Sequence, residues 1–267
     1  GAPRCSRDVE LSMPSIHSDN DDGLQQAMDQ GGIVLTHKSF HSHTGRFPLV
    51  DAFIQVVRHP ADVLLSDAHF FALTQLDVKL AKEDSSRRPE EVMQDLANLY
   101  LNNVLHKGKV PKQTRLGFGT WSENVSSWLN QRANRSCILI RYEDLKADPI
   151  SQLERLCLFL GIERNREYLE FACNGASVES MKAMQEREIQ EKIPGRFYDP
   201  RHALAYGAGL RFVRKGEVGQ KLLLQGVAAQ KLVAHFGPVM DCLGYTLSEG
   251  TAAAGPLSDE FSEIRPL

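Results

Sequence analysis

Three separated groups of residues in this chain have side chains suited to holding an anion or receiving a ligand. His37 stands directly after the apolar run Ile33-Val34-Leu35, and parallel α/β sheets place ligands at such strand ends. Arg58 with Ser66 forms the second group, inside the stretch FIQVVRHPADVLLSDAHFF from Phe53 to Phe71. Arginine offers a planar fork for phosphate, and the helix start just after it adds backbone N–H groups. The third group is Arg214-Lys215-Gly216, two cations and a residue that lets the backbone approach a ligand closely. Each group alone also suits a structural or solvated role. His37, His41 and His43 bring three imidazoles together, but no nearby carboxylate or cysteine completes a metal set. No metal is expected.

The elements that must position these groups are legible from pattern. Phe53, Ile54, Val56 and Val57 read as a strand buried on both faces. Pro60 suits the first turn of the following helix, with Asp62 near its positive end. That helix carries Val63, Leu64, Ala68 and Phe71 as an apolar stripe. Ile33 to Leu35 and Cys137 to Arg141 (CILIR) are two further candidate buried strands, the latter running into Tyr142-Glu143-Asp144. Helices are expected at about 89–107, 121–132, 149–160, 165–173, 177–190 and 228–241, with a short one at 24–28. Residues 195–209, with Phe197, Tyr198 and Tyr206, read as an ordered loop or lid. Strands alternating with helices predict an α/β parallel sheet in one domain, 31–247. Residues 1–30 are expected to be irregular, and 248–267 a disordered tail.

With 42% hydrophobic and 24% charged residues and a net charge of −3, the composition is that of a soluble globular protein. The near-neutral balance argues against a general nucleic-acid binder. The five cysteines are scattered without CxxC spacing, which suits a reduced compartment and mostly buried thiols. No apolar run reaches the ~18 residues of a membrane span, and no signal peptide is visible. The chain starts at Gly1, so a leader could have been removed.

In order along the chain, Thr36-His37, VVRHPADVLLS-DAHFF, GTWSENVSSWL, ILIRYEDLKADP, VESMK and FVRKGEVG resemble the sulfotransferases that use 3′-phosphoadenosine 5′-phosphosulfate (PAPS), of the cytosolic type and its bacterial relatives. The similarity runs over roughly residues 31–245. It implies a P-loop-kinase-like parallel sheet flanked by helices, PAPS as co-substrate and a cytoplasmic location. His37 matches the general base that takes the acceptor's proton. Arg58 and Ser66 match the pair that grips the 3′-phosphate, and Arg214, Lys215 and Gly216 match the later segment closing on it. Tyr142 matches the tyrosine that hydrogen-bonds adenine. The family's adenine-side threonine and phenylalanine fall near Ala176, Ser177 and Val178, so that part of the pocket differs.

The family's PKSGTTW-like loop, which holds the 5′-phosphosulfate, has no counterpart in the sequence. The strand that carries it is expected to be missing too. Two readings follow. One is a sulfotransferase moving a sulfuryl group to a hydroxyl or amine acceptor. The other is a non-catalytic relative that binds nucleotide or serves as a scaffold. A phosphotransferase is a weaker third, since no G-x-x-x-x-G-K-[ST] occurs. Phe197, Tyr198 and Tyr206 hint at an apolar or aromatic acceptor. Oligomeric state is left open.

Overall fold

The apolar run at 53–57 forms strand β1 (Ala52–Val57), and CILIR forms β2 (Ser136–Arg141). Both belong to a computed structural model that describes residues 5–15, 29, 32–40, 50–81, 87–109, 116–216, 218–219 and 226–246. The strands pair parallel, from Ala52 opposite Ser136 to Val57 opposite Arg141. In such a pair opposite residues share a face, so each face gathers its own core. On one, Ile138, Ile140 and Phe159 are buried and Ala52, Ile54, Leu145, Leu156 and Leu160 pack against them. On the other, Phe53 meets Trp128 with ring centroids 5.3 Å apart. β1 is less enclosed than its run of apolar residues predicts, with Val56 59% exposed.

The remaining elements among the described residues are, in order, helical. They are α1 (Ser6–Ser12), α2 (Pro60–Leu80), α3 (Pro89–Lys107), α4 (Trp121–Leu129), α5 (Tyr142–Ala147) and α6 (Pro149–Phe159). Then come α7 (Arg166–Gly175), α8 (Val178–Glu191), a 3-10 turn (Pro200–His202), α9 (Ala203–Gly207) and α10 (Val227–Cys242). Their starts follow local chemistry. Pro60 opens α2, and His59 Nδ1 accepts from the Ala61 N–H at 3.1 Å, satisfying an otherwise orphaned donor. Thr120 and Glu123 form a capping box before α4. Asp148 caps α6 and Ser177 caps α8.

The fold class is α/β, a parallel sheet flanked by helices. Its residues group into two compact units. One comprises 38–69, 97–173 and 217–267, and contains the sheet. The other comprises 1–37, 70–96 and 174–216. In the latter, α1 is tied to α8, because the Ser6 N–H and Oγ–H donate to the two oxygens of buried Glu188 at 2.5 and 2.9 Å. Phe70, Phe197 and Phe212 form an aromatic cluster there.

Five expectations change. Residues 6–12, expected to be irregular, form helix α1, whose Ser6 bonds to Glu188 anchor it. Ile33–Leu35 is not a buried strand; among the described residues it makes a single parallel bridge, Leu35 to Ser15, and Ile33 is 44% exposed. An apolar run becomes a buried strand only where neighbours cover both faces, and one bridge does not. Residues 200–207 of the expected loop are helical turns. Phe197, Tyr198 and Tyr206 are buried, with the Tyr198 and Tyr206 rings tilted against each other at 5.6 Å, so these rings serve packing. Of the five cysteines, all free, one, Cys137, is buried; the others lie outside the sheet's core. Residues 24–28, His41, His43 and 248–267 lie outside the described residues.

Candidate functional site

Arg58 sits where β1 ends and α2 begins, and its side chain is 20% exposed. The guanidinium lies over the Tyr142 ring, 4.4 Å from the centroid, a cation–π contact. It also reaches Asp62 Oδ2 at 3.5 Å, at the outer edge of hydrogen-bond range. Asp62 is buried on the first turn of α2, and its Oδ2 accepts the Gly219 N–H at 3.0 Å. Its Oδ1 is buried without a hydrogen bond.

The backbone that presents Arg58 is held from several directions. The Trp121 indole N–H donates to the Arg58 carbonyl at 3.2 Å. The His59 N–H donates to Glu143 Oε1 at 2.9 Å, and the Tyr245 hydroxyl donates to Glu143 Oε2 at 2.8 Å. The His59 and Tyr245 rings meet edge to face at 5.3 Å. Glu143, His59 and Tyr245 are all buried. Burial, and then the neighbouring Glu143 charge, holds the Tyr245 phenol far above its ordinary pKa, so it stays a donor.

Of the sequence-predicted residues, Arg58 and Tyr142 are brought into contact. Ser66 is part-buried, eight residues further along α2. Together they present a cationic fork, an aromatic face and a helix N-terminus, which suits a phosphate bearing an adjacent ring.

The other predicted residues lie in the second unit. His37 reaches solvent, yet desolvation by surrounding protein, and then the charge of Arg196, holds its pKa below the ordinary imidazole value. It is therefore a neutral base near pH 7. Arg214 is part-buried and Lys215 exposed. The segment before them is fixed to α8. The Val213 N–H donates to Gln185 Oε1 at 2.8 Å, and Arg211 pairs with Glu186. Gly216 has φ +62°, and a Cβ there would stand 2.5 Å from Val178 Cγ2. Glycine is required on both counts. Among the described residues, no group of three His, Cys, Asp or Glu is placed to hold a metal, and no helix is long and apolar enough to cross a membrane.

Sequence reasoning did not single out Glu143 or Tyr245, and it matched Trp121 by resemblance to core and pocket-wall aromatics rather than to a partner of the Arg58 carbonyl. Only Glu143 carried a signal, a carboxylate directly after a buried strand and beside a candidate ligand.

The fold is of the P-loop-like α/β class, and the comparisons with known proteins narrow it. Residues 6–226 match the model of the sulfotransferase domain, so the chain belongs to the sulfotransferase family. It is 26% identical over 203 residues to Sulfotransferase 2A6 of Rattus norvegicus, covering 73% of this chain and 64% of the rat protein. It is 26% identical over 222 residues to the 3-beta-hydroxysteroid sulfotransferase of Cavia porcellus, covering 82% of this chain and 67% of that one. The chain thus spans about two thirds of the length of these relatives. Among solved structures it resembles a mouse sulfotransferase, SULT7A1, complexed with PAP. The TM-score is 0.52 at 22% identity, covering 78% of this chain and 66% of that one.

Proposed function

We propose that this protein is a PAPS-dependent sulfotransferase that transfers a sulfuryl group to a hydroxyl or amine acceptor. The observation that carries the reading is the Arg58 guanidinium, stacked on Tyr142 at the end of β1, in a chain of the sulfotransferase family. The residues present fit the adenosine 3′-phosphate half of the donor. Arg58 and Ser66 take the 3′-phosphate and Tyr142 the adenine. The 3.5 Å Arg58–Asp62 contact is weak enough for a phosphate to replace. Arg214, Lys215 and Gly216 are assigned to the 3′-phosphate on sequence resemblance.

His37 is the proposed general base, supported by its depressed pKa. Sulfuryl transfer is in-line displacement, so the protein's part is to orient the acceptor and remove its proton as the oxygen or nitrogen attacks sulfur. The guinea-pig relative is named for a hydroxysteroid, which favours a hydroxyl acceptor.

Calorimetric titration with 3′-phosphoadenosine 5′-phosphate tests the nucleotide half. Micromolar binding by the unsubstituted chain, lost in Arg58→Ala and weakened in Lys215→Ala, is the expected result. No binding by the folded chain would overturn the reading. Labelled sulfuryl transfer from PAPS to a hydroxysteroid tests the reaction. Binding without transfer to any acceptor would favour the second reading, a non-catalytic nucleotide-binding relative.

A further inference from the structure

The backbone of Arg58 is held by Trp121 and Glu143, residues given no contact with the proposed ligand. Its backbone turn makes hydrogen bonds on both sides, the carbonyl of Arg58 to Trp121 and the amide of His59 to Glu143. Glu143 is the hub, since its other oxygen takes the Tyr245 hydroxyl. It is also the neighbour of Tyr142, on whose ring the Arg58 side chain rests. Two consecutive residues at the start of α5 therefore fix Arg58 twice, one through its backbone and one through its side chain. A carboxylate buried among neutral donors is costly unless both oxygens are satisfied, and here they are.

We propose that Glu143, held by Tyr245, is the positioning residue that sets the Arg58 turn for a 3′-phosphate. This rests on the reading of Arg58 as a phosphate ligand. Tyr245 lies beyond residue 226, where the match to the family model ends, so this tie is separate from the motifs that place the chain in its family.

Titration of the full chain with 3′-phosphoadenosine 5′-phosphate and with adenosine 5′-monophosphate reads the 3′-phosphate's contribution as a ratio of affinities. Glu143→Ala should lower that ratio about tenfold and leave adenosine 5′-monophosphate affinity unchanged. A merely structural loss would lower both affinities together. Glu143→Gln keeps an oxygen for the His59 amide and should stay within about threefold of the original ratio. Tyr245→Phe removes one donor without emptying the core and should lower the ratio about threefold; it decides the matter if Glu143→Ala does not fold. A ratio that depends on Arg58 but is untouched in Tyr245→Phe and Glu143→Ala overturns the positioning role alone. If the unsubstituted chain binds both nucleotides equally, the phosphate reading of Arg58 falls, and this inference with it.

Discussion

Arg58 does two things that a lysine in its place could not. Its planar guanidinium stacks on Tyr142 and still offers a fork for phosphate oxygens. Arg58→Lys keeps the charge but loses the stack and the fork, so affinity for 3′-phosphoadenosine 5′-phosphate should fall about tenfold. Titration calorimetry would show it, and unchanged affinity would mean that charge alone is used. His37 carries a different test. Removing the Arg196 charge that adds to its depressed pKa should move that pKa upward in Arg196→Ala, read by NMR titration of the ring. The lowered pKa also sets a stability slope. Below about pH 6.5 the unfolded chain takes up a proton that the folded chain resists, so stability falls as pH drops through that range. His37→Ala should flatten this part of the thermal-unfolding profile, and in a transfer assay it should abolish turnover without weakening nucleotide binding.

At the scale of elements, loops are fixed to helices by contacts that tolerate little change. Gly216→Ala asks alanine to adopt φ +62° against Val178, and should cost about 2 kcal/mol in chemical denaturation. Val178→Ala in the same chain should recover the steric part and leave the strain. How far the sequence disclosed this level depended on whether the signal was local. The βα unit from Phe53 to Phe71 was legible because apolar run, Pro60 and Asp62 all act within a few residues. α3, α6 and α8 were legible for the same reason, each with proline or a capping residue at its start. The Arg58–Tyr142 contact was legible only as two separate matches to a family, since the two stand 84 positions apart. Ile33–Leu35 misled, because burial of a strand depends on neighbours that its own residues do not encode. Glu143 was hidden for a related reason. Its partners, His59 and Tyr245, lie 84 and 102 positions away, on either side of it in the chain.

For the whole molecule, the five free thiols give a graded probe of unfolding. Cys242 is exposed and Cys137 is buried in β2. A thiol reagent on the native protein should label Cys242 readily and Cys137 only as fast as the sheet opens. Cys173 should react slowly for its exposure, because desolvation and then the charges of Asp148 and Glu170 raise its pKa. Rapid native labelling of Cys137, followed by mass spectrometry, would contradict the packing of β2.

The hydroxyl of Tyr245 has a consequence for how such chains are inherited and trimmed. A descendant shortened at residue 226 would keep Arg58, Ser66, Tyr142 and every motif by which the family is recognised. It would nevertheless lose α10 and the Tyr245 hydroxyl that steadies Glu143, so it would pass for intact by its signature while its anion grip loosened.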